Sequence, residues 1–336
     1  MKMLMFDFRE SEKEFFEKNE FIDFDITFIN EPLNDITQLT EEQKNETSLI
    51  SIYRSSNLTA KVLNQFKNLR IIATRTYGYG HIDIDYCIEH NIAVLNVENY
   101  GEEGVAEYTI GLMIALVRNM ISAIIDLKNH EINYEKYEGR SLNNMTLGII
   151  GCGEVGVLVS KIAHFLGMHV LIYSYMQNPK VGNYCEFVDF ERLLKESDII
   201  SLHIPSSPDN YHMLGADEFD KMKDGVYIVN TARGALIDIR TLYDNLIKGK
   251  VKGAALDVME CEFLSTHPGE ITDAIKDSKS DCVEIALVTQ KLFNLDNVIM
   301  TPHIGYNTHC SINYLLEQTF NNIRDYLKGI YSNRVC

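Results

Sequence analysis

Leu147-Gly148-Ile149-Ile150-Gly151-Cys152-Gly153-Glu154-Val155-Gly156 joins a short apolar run to a glycine-rich turn, and a helix-period pattern, Val155–Leu166, continues from it. The spacing is G-x-G-x-x-G, in the setting that gives it meaning: after a strand and at the start of a helix. Gly151 permits a tight turn, Gly153 lets backbone amides approach a pyrophosphate, and Gly156 lets the helix pack closely on the strand. The helix N-terminus offers unpaired N–H groups and a positive partial charge to phosphate oxygens. Gly151, Cys152, Gly153, Glu154, Val155 and Gly156 are therefore read as a dinucleotide-binding turn, against the alternative of a turn that only shapes the chain. Cys152 is either an oxidation-sensitive thiol or a small residue that fits there.

Outward from this turn, apolar and polar stretches alternate in both directions. Strand candidates after it are His169–Tyr173, Phe187–Val188, Ile199–His203, Val226–Asn230, Ala254–Val258 and Val298–Thr301. Helix candidates fall between them at Phe190–Glu196 and Ile239–Lys248. Before the turn the strand candidates are Met3–Phe8, Ile26–Ile29, Leu49–Tyr53, Arg70–Ala73 and Ala93–Asn96, with Thr59–Phe66 and Ile84–His90 as helical segments. This rhythm predicts βαβ units and parallel sheets. From Glu103 an apolar segment runs past Arg118 and reads as one long helix, buried on more than one side, bridging two domains or meeting another subunit. The last helix, Ser311–Lys328, returns to the first domain. The expected class is α/β, two doubly wound parallel-sheet, Rossmann-like domains. A cofactor domain over residues 101–305 is inserted into a discontinuous substrate domain of residues 1–100 plus 306–336.

Bulk properties limit the partners. The 336 residues exceed a single core's usual size, and 46% apolar with 24% charged residues is ordinary globular composition. A formal charge of -17 argues against nucleic acid, which needs clustered Lys and Arg. A small anionic substrate needs only one or two well-placed arginines. Asp7 ends the first apolar run too early for a signal peptide, and no 18-residue apolar run predicts a membrane span. Seven scattered cysteines (Cys87, Cys152, Cys185, Cys261, Cys282, Cys310, Cys336) lack a C-x-x-C pair and read as free cytosolic thiols, neither a disulfide framework nor a metal site. A cytoplasmic location is expected. The polar stretch Glu262–Leu295 reads as a mobile surface loop affecting substrate access.

The acidic residue expected about 20 residues beyond the glycine turn is absent, and Ser174 followed by Tyr175 ends that strand. A carboxylate there would hold the ribose diol of NAD and repel a 2′-phosphate. Ser174 does neither, no Arg follows closely, and Lys180 is distant in sequence. NAD and NADP both stay open.

Three more strings end strands: Val229-Asn230-Thr231-Ala232-Arg233-Gly234, Ala255-Leu256-Asp257-Val258-Met259-Glu260-Cys261-Glu262, and Thr301-Pro302-His303-Ile304-Gly305. Carboxyl ends of strands form the ligand crevice of an open α/β sheet. Together with Leu202-His203-Ile204-Pro205 and the glycine turn, these strings resemble the D-isomer-specific 2-hydroxyacid dehydrogenase family, in particular its D-lactate dehydrogenase branch. The resemblance runs from around Tyr53 to Tyr306. At Ser174 it is similar to the vancomycin-resistance D-lactate dehydrogenases, which also lack the acidic ribose clamp.

The resemblance implies that Arg233 holds the substrate carboxylate through a bidentate fork and polarises the keto oxygen. His303 would act as general acid in reduction and base in oxidation. Glu262 would orient that imidazole and favour its protonated form. Each has a plainer rival: Arg233 a surface ion-pair partner, His303 a hydrogen-bonded loop histidine. Glu260 competes with Glu262 for the same crevice, and Phe263 replaces the proline that often follows the family's glutamate. His203, Pro205, Thr231, Ala232 and Asp257 would line the cofactor with Arg233 and His303, although Asp257 is also read as a turn cap. Tyr53, Gly78, Tyr79, Tyr100, Arg233 and Tyr306 would surround the substrate. The implied reaction is hydride transfer between a nicotinamide cofactor and a small 2-oxo acid, foremost pyruvate/D-lactate, in a homodimer without metal. The enzymatic alternatives are glyoxylate, hydroxypyruvate, phosphoglycerate-type or branched substrates; the other class is a dinucleotide-sensing regulatory protein.

Overall fold

The computed structural model describes residues 1–266, 269, 271 and 280–336. The chain divides into two compact units, Met1–Gly101 with Asn307–Cys336, and Glu102–Tyr306. In the first unit β1 (Lys2–Met5), β2 (Asp25–Phe28), β3 (Leu49–Ile52), β4 (Ile71–Thr74) and β5 (Ala93–Leu95) form one sheet in the order β2-β1-β3-β4-β5. Every pairing is parallel. Side chains on a strand alternate between faces, and here both faces are apolar. Leu4, Phe6, Ile50, Ile52, Ile72 and Val94 fill one layer. Met3, Met5, Leu49, Ile71, Ala73 and Leu95 fill the other, where Leu316, Phe320 and Ile323 of the helix His309–Leu327 cover them.

The second unit holds β6 (Thr146–Ile150), β7 (His169–Tyr173), β8 (Glu186–Phe187), β9 (Ile199–Leu202), β10 (Val226–Asn230), β11 (Val251–Leu256) and β12 (Val298–Met300). Their order is β12-β11-β10-β9-β6-β7-β8, again parallel throughout. The chain winds one way from β6 to β8 and the other way from β9 to β12. The reversal lies between β6 and β9, and such switch points are where doubly wound sheets bind ligands. The expected α/β class, with two parallel-sheet units, is therefore observed.

Three expectations are corrected. The segment from Glu103 past Arg118 is two helices, Glu102–Val117 and Met120–Lys128, at 65° to each other. Asn119 breaks the run by adopting a left-handed φ of 51°, which Asn tolerates better than apolar residues do. The first helix buries Ala106, Met113 and Val117 in the core; the second exposes Met120, Ile124 and Ile125. Second, Glu262–Leu295 is not a structureless loop. It contains the helices Glu262–Thr266 and Ser280–Phe293, with Ile285 and Leu292 in the core below the sheet; 267, 268, 270 and 272–279 lie outside the described residues. Third, Cys261 and Cys282 form a disulfide, with Cα atoms 5.5 Å apart, leaving Cys87, Cys152, Cys185, Cys310 and Cys336 free. No local spacing announces a pair 21 residues apart; the returning helix brings it together. Among the described residues no single helix is long and apolar enough to cross a membrane.

Candidate active site

β6 delivers the chain into the glycine turn. Gly151 has φ 105°, and a Cβ there would clash with the His203 carbonyl oxygen and with Ile204. A Cβ on Gly156 would clash with the Gly151 carbonyl oxygen. Both glycines are thus set by close approach of backbone. Gly153 differs: nothing lies within 4 Å of the Cβ position. It precedes the helix Glu154–Phe165, and among the described residues no side chain caps that end. Open space beside outward-facing N–H groups fits a pyrophosphate. Cys152 is buried, which pushes its thiol up from the ordinary value. It therefore fits the turn as a packing residue and not as a reactive thiolate.

The loop after β7 is tied back onto this turn. Asn178 Nδ2 donates to the Cys152 carbonyl oxygen at 3.3 Å, and Lys180 Nζ donates to Glu154 Oε1 at 2.6 Å. Lys180, remote by sequence spacing, thus lies beside the glycine turn. Ser174 is half-buried at the end of β7 and Tyr175 is exposed. At the exit of β9, burial pushes His203 down to about 4, so the ring is neutral near pH 7 and hydrogen-bonds Ser201 Oγ at 2.9 Å. Exposed Pro205 accepts from Asn210 Nδ2 at 2.9 Å through its carbonyl.

β10 ends at Asn230, whose side chain shapes the adjoining turn: Oδ1 accepts from the Ala232 amide at 3.0 Å and Nδ2 donates to the Arg233 carbonyl at 2.8 Å. Thr231 hydrogen-bonds Thr109 at 2.8 Å, tying the turn to the helix Glu102–Val117. Arg233 is half-buried and donates from Nη1 to the Ala232 carbonyl at 2.6 Å. Among the described residues no carboxylate pairs with it.

β11 leads to Asp257, almost fully buried. Oδ1 accepts from Thr301 Oγ1 at 2.6 Å and from the Ile304 amide at 2.9 Å; Oδ2 accepts from the Gly305 amide at 2.9 Å. Asp257 is therefore the cap of the turn that carries His303, so both of its oxygens are engaged within the protein. His303 sits at φ 56°, and its Nδ1 lies 3.0 Å from Glu262 Oε2. A carboxylate only accepts, so Nδ1 carries its hydrogen toward Glu262 and Nε2 is the nitrogen that faces elsewhere. The Tyr306 ring meets His303 edge-on at 6.3 Å between centroids. Glu260 does not share this contact. Its oxygens take Tyr211 Oη and His212 Nε2, each at 2.8 Å, and the bond pushes the Tyr211 hydroxyl up to about 12. Neither Tyr211 nor His212 belongs to a recognisable string, so sequence reading missed both.

The first unit holds the remaining candidates. Tyr53 is buried just past β3, its amide donating to Asp7 Oδ2 at 2.9 Å and its ring 4.6 Å from the Arg9 guanidinium. Gly78 and Tyr79 lie exposed in the turn after β4, where the Gly78 carbonyl accepts from Thr76 Oγ1 at 2.6 Å. Tyr100 is half-buried near the end of that segment.

Residues 110–305 match the family described as D-isomer specific 2-hydroxyacid dehydrogenase, NAD binding domain. An aromatic 2-oxoacid reductase of Clostridium sporogenes is 37% identical over 292 residues, covering 85% of this chain and 86% of that protein. A hydroxypyruvate reductase of Thermotoga maritima is 38% identical over 263 residues, 78% of this chain and 79% of its own. The structure of a D-lactate dehydrogenase from Aquifex aeolicus, complexed with NAD and lactic acid, superposes with a TM-score of 0.78 at 31% identity, covering 97% and 96%.

Proposed function

Because the chain belongs to the D-isomer specific 2-hydroxyacid dehydrogenases, NAD-dependent oxidoreductases acting on CH–OH donors, we propose that it reduces a small 2-oxo acid, pyruvate foremost, to the D-2-hydroxy acid. NADH, when bound, supplies the hydride to the carbonyl carbon. Gly151, Gly153, Gly156 and the first-turn amides of Glu154–Phe165 hold the pyrophosphate. Arg233, with no counter-ion among the described residues, takes the substrate carboxylate and polarises the keto oxygen. His303 donates its Nε2 proton to that oxygen as the hydride arrives, and in oxidation accepts it back. Glu262 holds the ring by Nδ1, so that the proton-transferring nitrogen is always Nε2. Tyr53, Gly78, Tyr79, Tyr100 and Tyr306 keep the substrate-binding assignment that the resemblance implies.

The observation that carries this reading is the 3.0 Å pairing of Glu262 with His303 Nδ1. Absorbance at 340 nm with pyruvate, glyoxylate, hydroxypyruvate, phenylpyruvate and branched 2-oxo acids, each with NADH and NADPH, tests it, followed by chiral analysis of the product. His303→Ala should lower kcat by about 10²- to 10⁴-fold, the worth of positioned acid–base catalysis. Parental turnover in that variant, or an L product, would sink the assignment. A larger side chain than methyl is the second reading, supported by the aromatic 2-oxoacid reductase among the relatives. NADPH is the second cofactor reading, supported by Ser174 and by Lys180 beside the glycine turn.

The proposal includes a homodimer, supported by the exposed Met120, Ile124, Ile125 and Leu127 on one helix, and checked by sedimentation velocity. It also includes a cytoplasmic site of action. In a reducing compartment Cys261 and Cys282 would stand as thiols. Seven titratable thiols in freshly isolated protein would support that location, and five would oppose it.

A further inference from the structure

Glu260 and Glu262 are two residues apart, and in extended chain their side chains would share one face. Between them Cys261 has φ 48°, a left-handed conformation that is strained for a non-glycine residue. The reversal at Cys261 sends the two carboxylates to different histidines: Glu260 to His212 and Glu262 to His303. His212 itself has φ 52°. Such conformations persist where their surroundings over-determine them, and the surroundings here are specific. Glu260 accepts from Tyr211 and His212 while its carbonyl accepts from Ser265 Oγ at 3.0 Å. The His212 amide donates at 2.8 Å to the carbonyl of Ala235, two residues beyond Arg233. A Cβ on Gly234 would clash with the backbone of Met259 and Glu260, so the Arg233 turn lies directly on the segment leading to Glu262.

We propose that Glu260, paired with His212 and Tyr211, is a positioning residue that registers both the Arg233 turn and Glu262. Its carboxylate touches neither His303 nor a place assigned to substrate. It acts through what it holds: on one side the His212 backbone that grips the Arg233 turn, on the other the reversed peptide that aims Glu262. The inference rests on the catalytic reading above and extends it to a residue outside the Arg–Glu–His set. It also gives the strain at Cys261 a purpose, since an extended Cys261 would put Glu260 and Glu262 in competition for one histidine.

The experiment is a double-mutant cycle in the full-length enzyme, with Glu260→Ala, Glu262→Gln, their combination, and Glu260→Gln. NADH affinity is measured separately by fluorescence titration. Glu260→Ala should lower kcat about 10- to 100-fold and raise KM for the 2-oxo acid several-fold, while NADH binding stays within twofold. Glu260→Gln keeps an acceptor for Tyr211 and a polar group against His212, and should recover most of the loss. Glu262→Gln should lower kcat alone. The double variant should show the KM of Glu260→Ala and a kcat loss smaller than the product of the two single losses, because the part of the positioning effect that runs through Glu262 disappears once Glu262 is gone.

Multiplying kcat losses in the double variant would overturn the inference, as would an unchanged Glu260→Ala or a Glu260→Gln that rescues nothing. If Glu262→Gln turns over like the parent, the catalytic reading falls and this inference with it. If Glu262→Gln is impaired while Glu260→Ala is not, only this inference falls. Should Glu260→Ala fail to give a cooperative melting transition, His212→Ala takes its place in the same cycle, with the same outcomes deciding.

Discussion

Two arginines follow parallel strands in the two units and differ in how far the protein itself satisfies them. Arg75 comes immediately after β4 and is 1% exposed. It donates from Nη1 to Ser51 Oγ at 3.0 Å, and from Nη2 to the carbonyls of Phe6 at 2.8 Å and Asp7 at 3.1 Å. Burial pulls its pKa below the usual arginine value, while the charges of Glu12 and Asp7 oppose that pull. Arg233 comes three residues after β10, is half-buried, and among the described residues has only its neighbour's carbonyl. The carboxyl edge of a sheet is thus not by itself a functional address. What separates the two is how many of the guanidinium's hydrogen bonds the protein takes up itself: among the described residues Arg75 gives three, all from its terminal nitrogens, and Arg233 one.

The comparison breaks if the two substitutions do similar things. Arg233→Lys should lower kcat/KM by about 10²- to 10³-fold, raising KM and lowering kcat together, because a point charge cannot replace the bidentate fork. The melting temperature should stay within about 1 °C, since surface-accessible groups away from packing contribute little to stability. Arg75→Ala should instead destabilise by about 3–5 kcal/mol, because three buried acceptors lose their donor and the nearby Asp7 and Glu12 lose a positive charge. For a unit of this size that is on the order of 10 °C in calorimetry. An Arg75→Ala protein that melts like the parent would remove the distinction.

Two histidines sharpen it in the pH dimension. His81 in the first unit and His203 in the second are both pushed down to about 4, chiefly by burial. An unfolded histidine titrates near 6.5. Between about pH 6.5 and 4 the unfolded chain therefore binds more protons than the folded one, and stability must fall as pH falls through that window. Above pH 6.5 the full stability is present. Each histidine accounts for on the order of 1–3 kcal/mol of that acid loss. Urea titrations at pH 7 and pH 5 should show His203→Gln narrowing the difference between the two. An unchanged difference in His203→Gln would mean that the buried imidazole is not what the acid loss reports.

The sequence makes the periodic features readable and hides the convergent ones. Strands such as Val226–Asn230 and His169–Tyr173 announce themselves because buried parallel strands are continuous apolar runs bounded by turns. The glycine turn is legible because backbone clashes at Gly151 and Gly156 leave glycine as the residue that fits. Arg233, Glu262 and His303 are legible as a set, and spacing from Arg233 together with the family resemblance favours Glu262 over Glu260, but the geometry that parts the two glutamates is not legible. It depends on one left-handed residue, Cys261, whose conformation no local pattern dictates. The same holds for Cys261–Cys282 and for Lys180: each partner is supplied by a segment that returns from elsewhere in the fold. The helix break at Asn119 is a near miss, since Asn within an apolar helical run is a recognisable weak point. The short polar helix Glu41–Glu46 was readable in principle. Thr40 and Gln43 form a capping box, with Thr40 Oγ1 accepting from the Gln43 amide at 3.1 Å and Gln43 Oε1 accepting from the Thr40 amide at 2.9 Å.

Lys180 supplies the intermediate case, a cation that is satisfied like Arg75 yet exposed like a ligand-binding group. Its partner Glu154 stands in the glycine turn, and the two side chains are 62% and 51% exposed. An ion pair in that much water is worth about 0.2–1 kcal/mol, so releasing Lys180 onto a competing phosphate costs little. Ser174 offers no carboxylate to repel such a phosphate, leaving Glu154 as the nearby negative charge set against NADPH. Glu154→Gln should therefore raise the NADPH-to-NADH ratio of kcat/KM by roughly two- to fivefold, the factor corresponding to that energy. Binding of 2′,5′-ADP relative to 5′-AMP, measured by calorimetry, should rise in step, and the gain should fade at high salt. Ser174→Asp should move both ratios the other way. A Glu154→Gln enzyme with unchanged ratios would mean that Lys180 never reaches the ribose, and that an exposed, paired cation is as fully committed to the protein as a buried one.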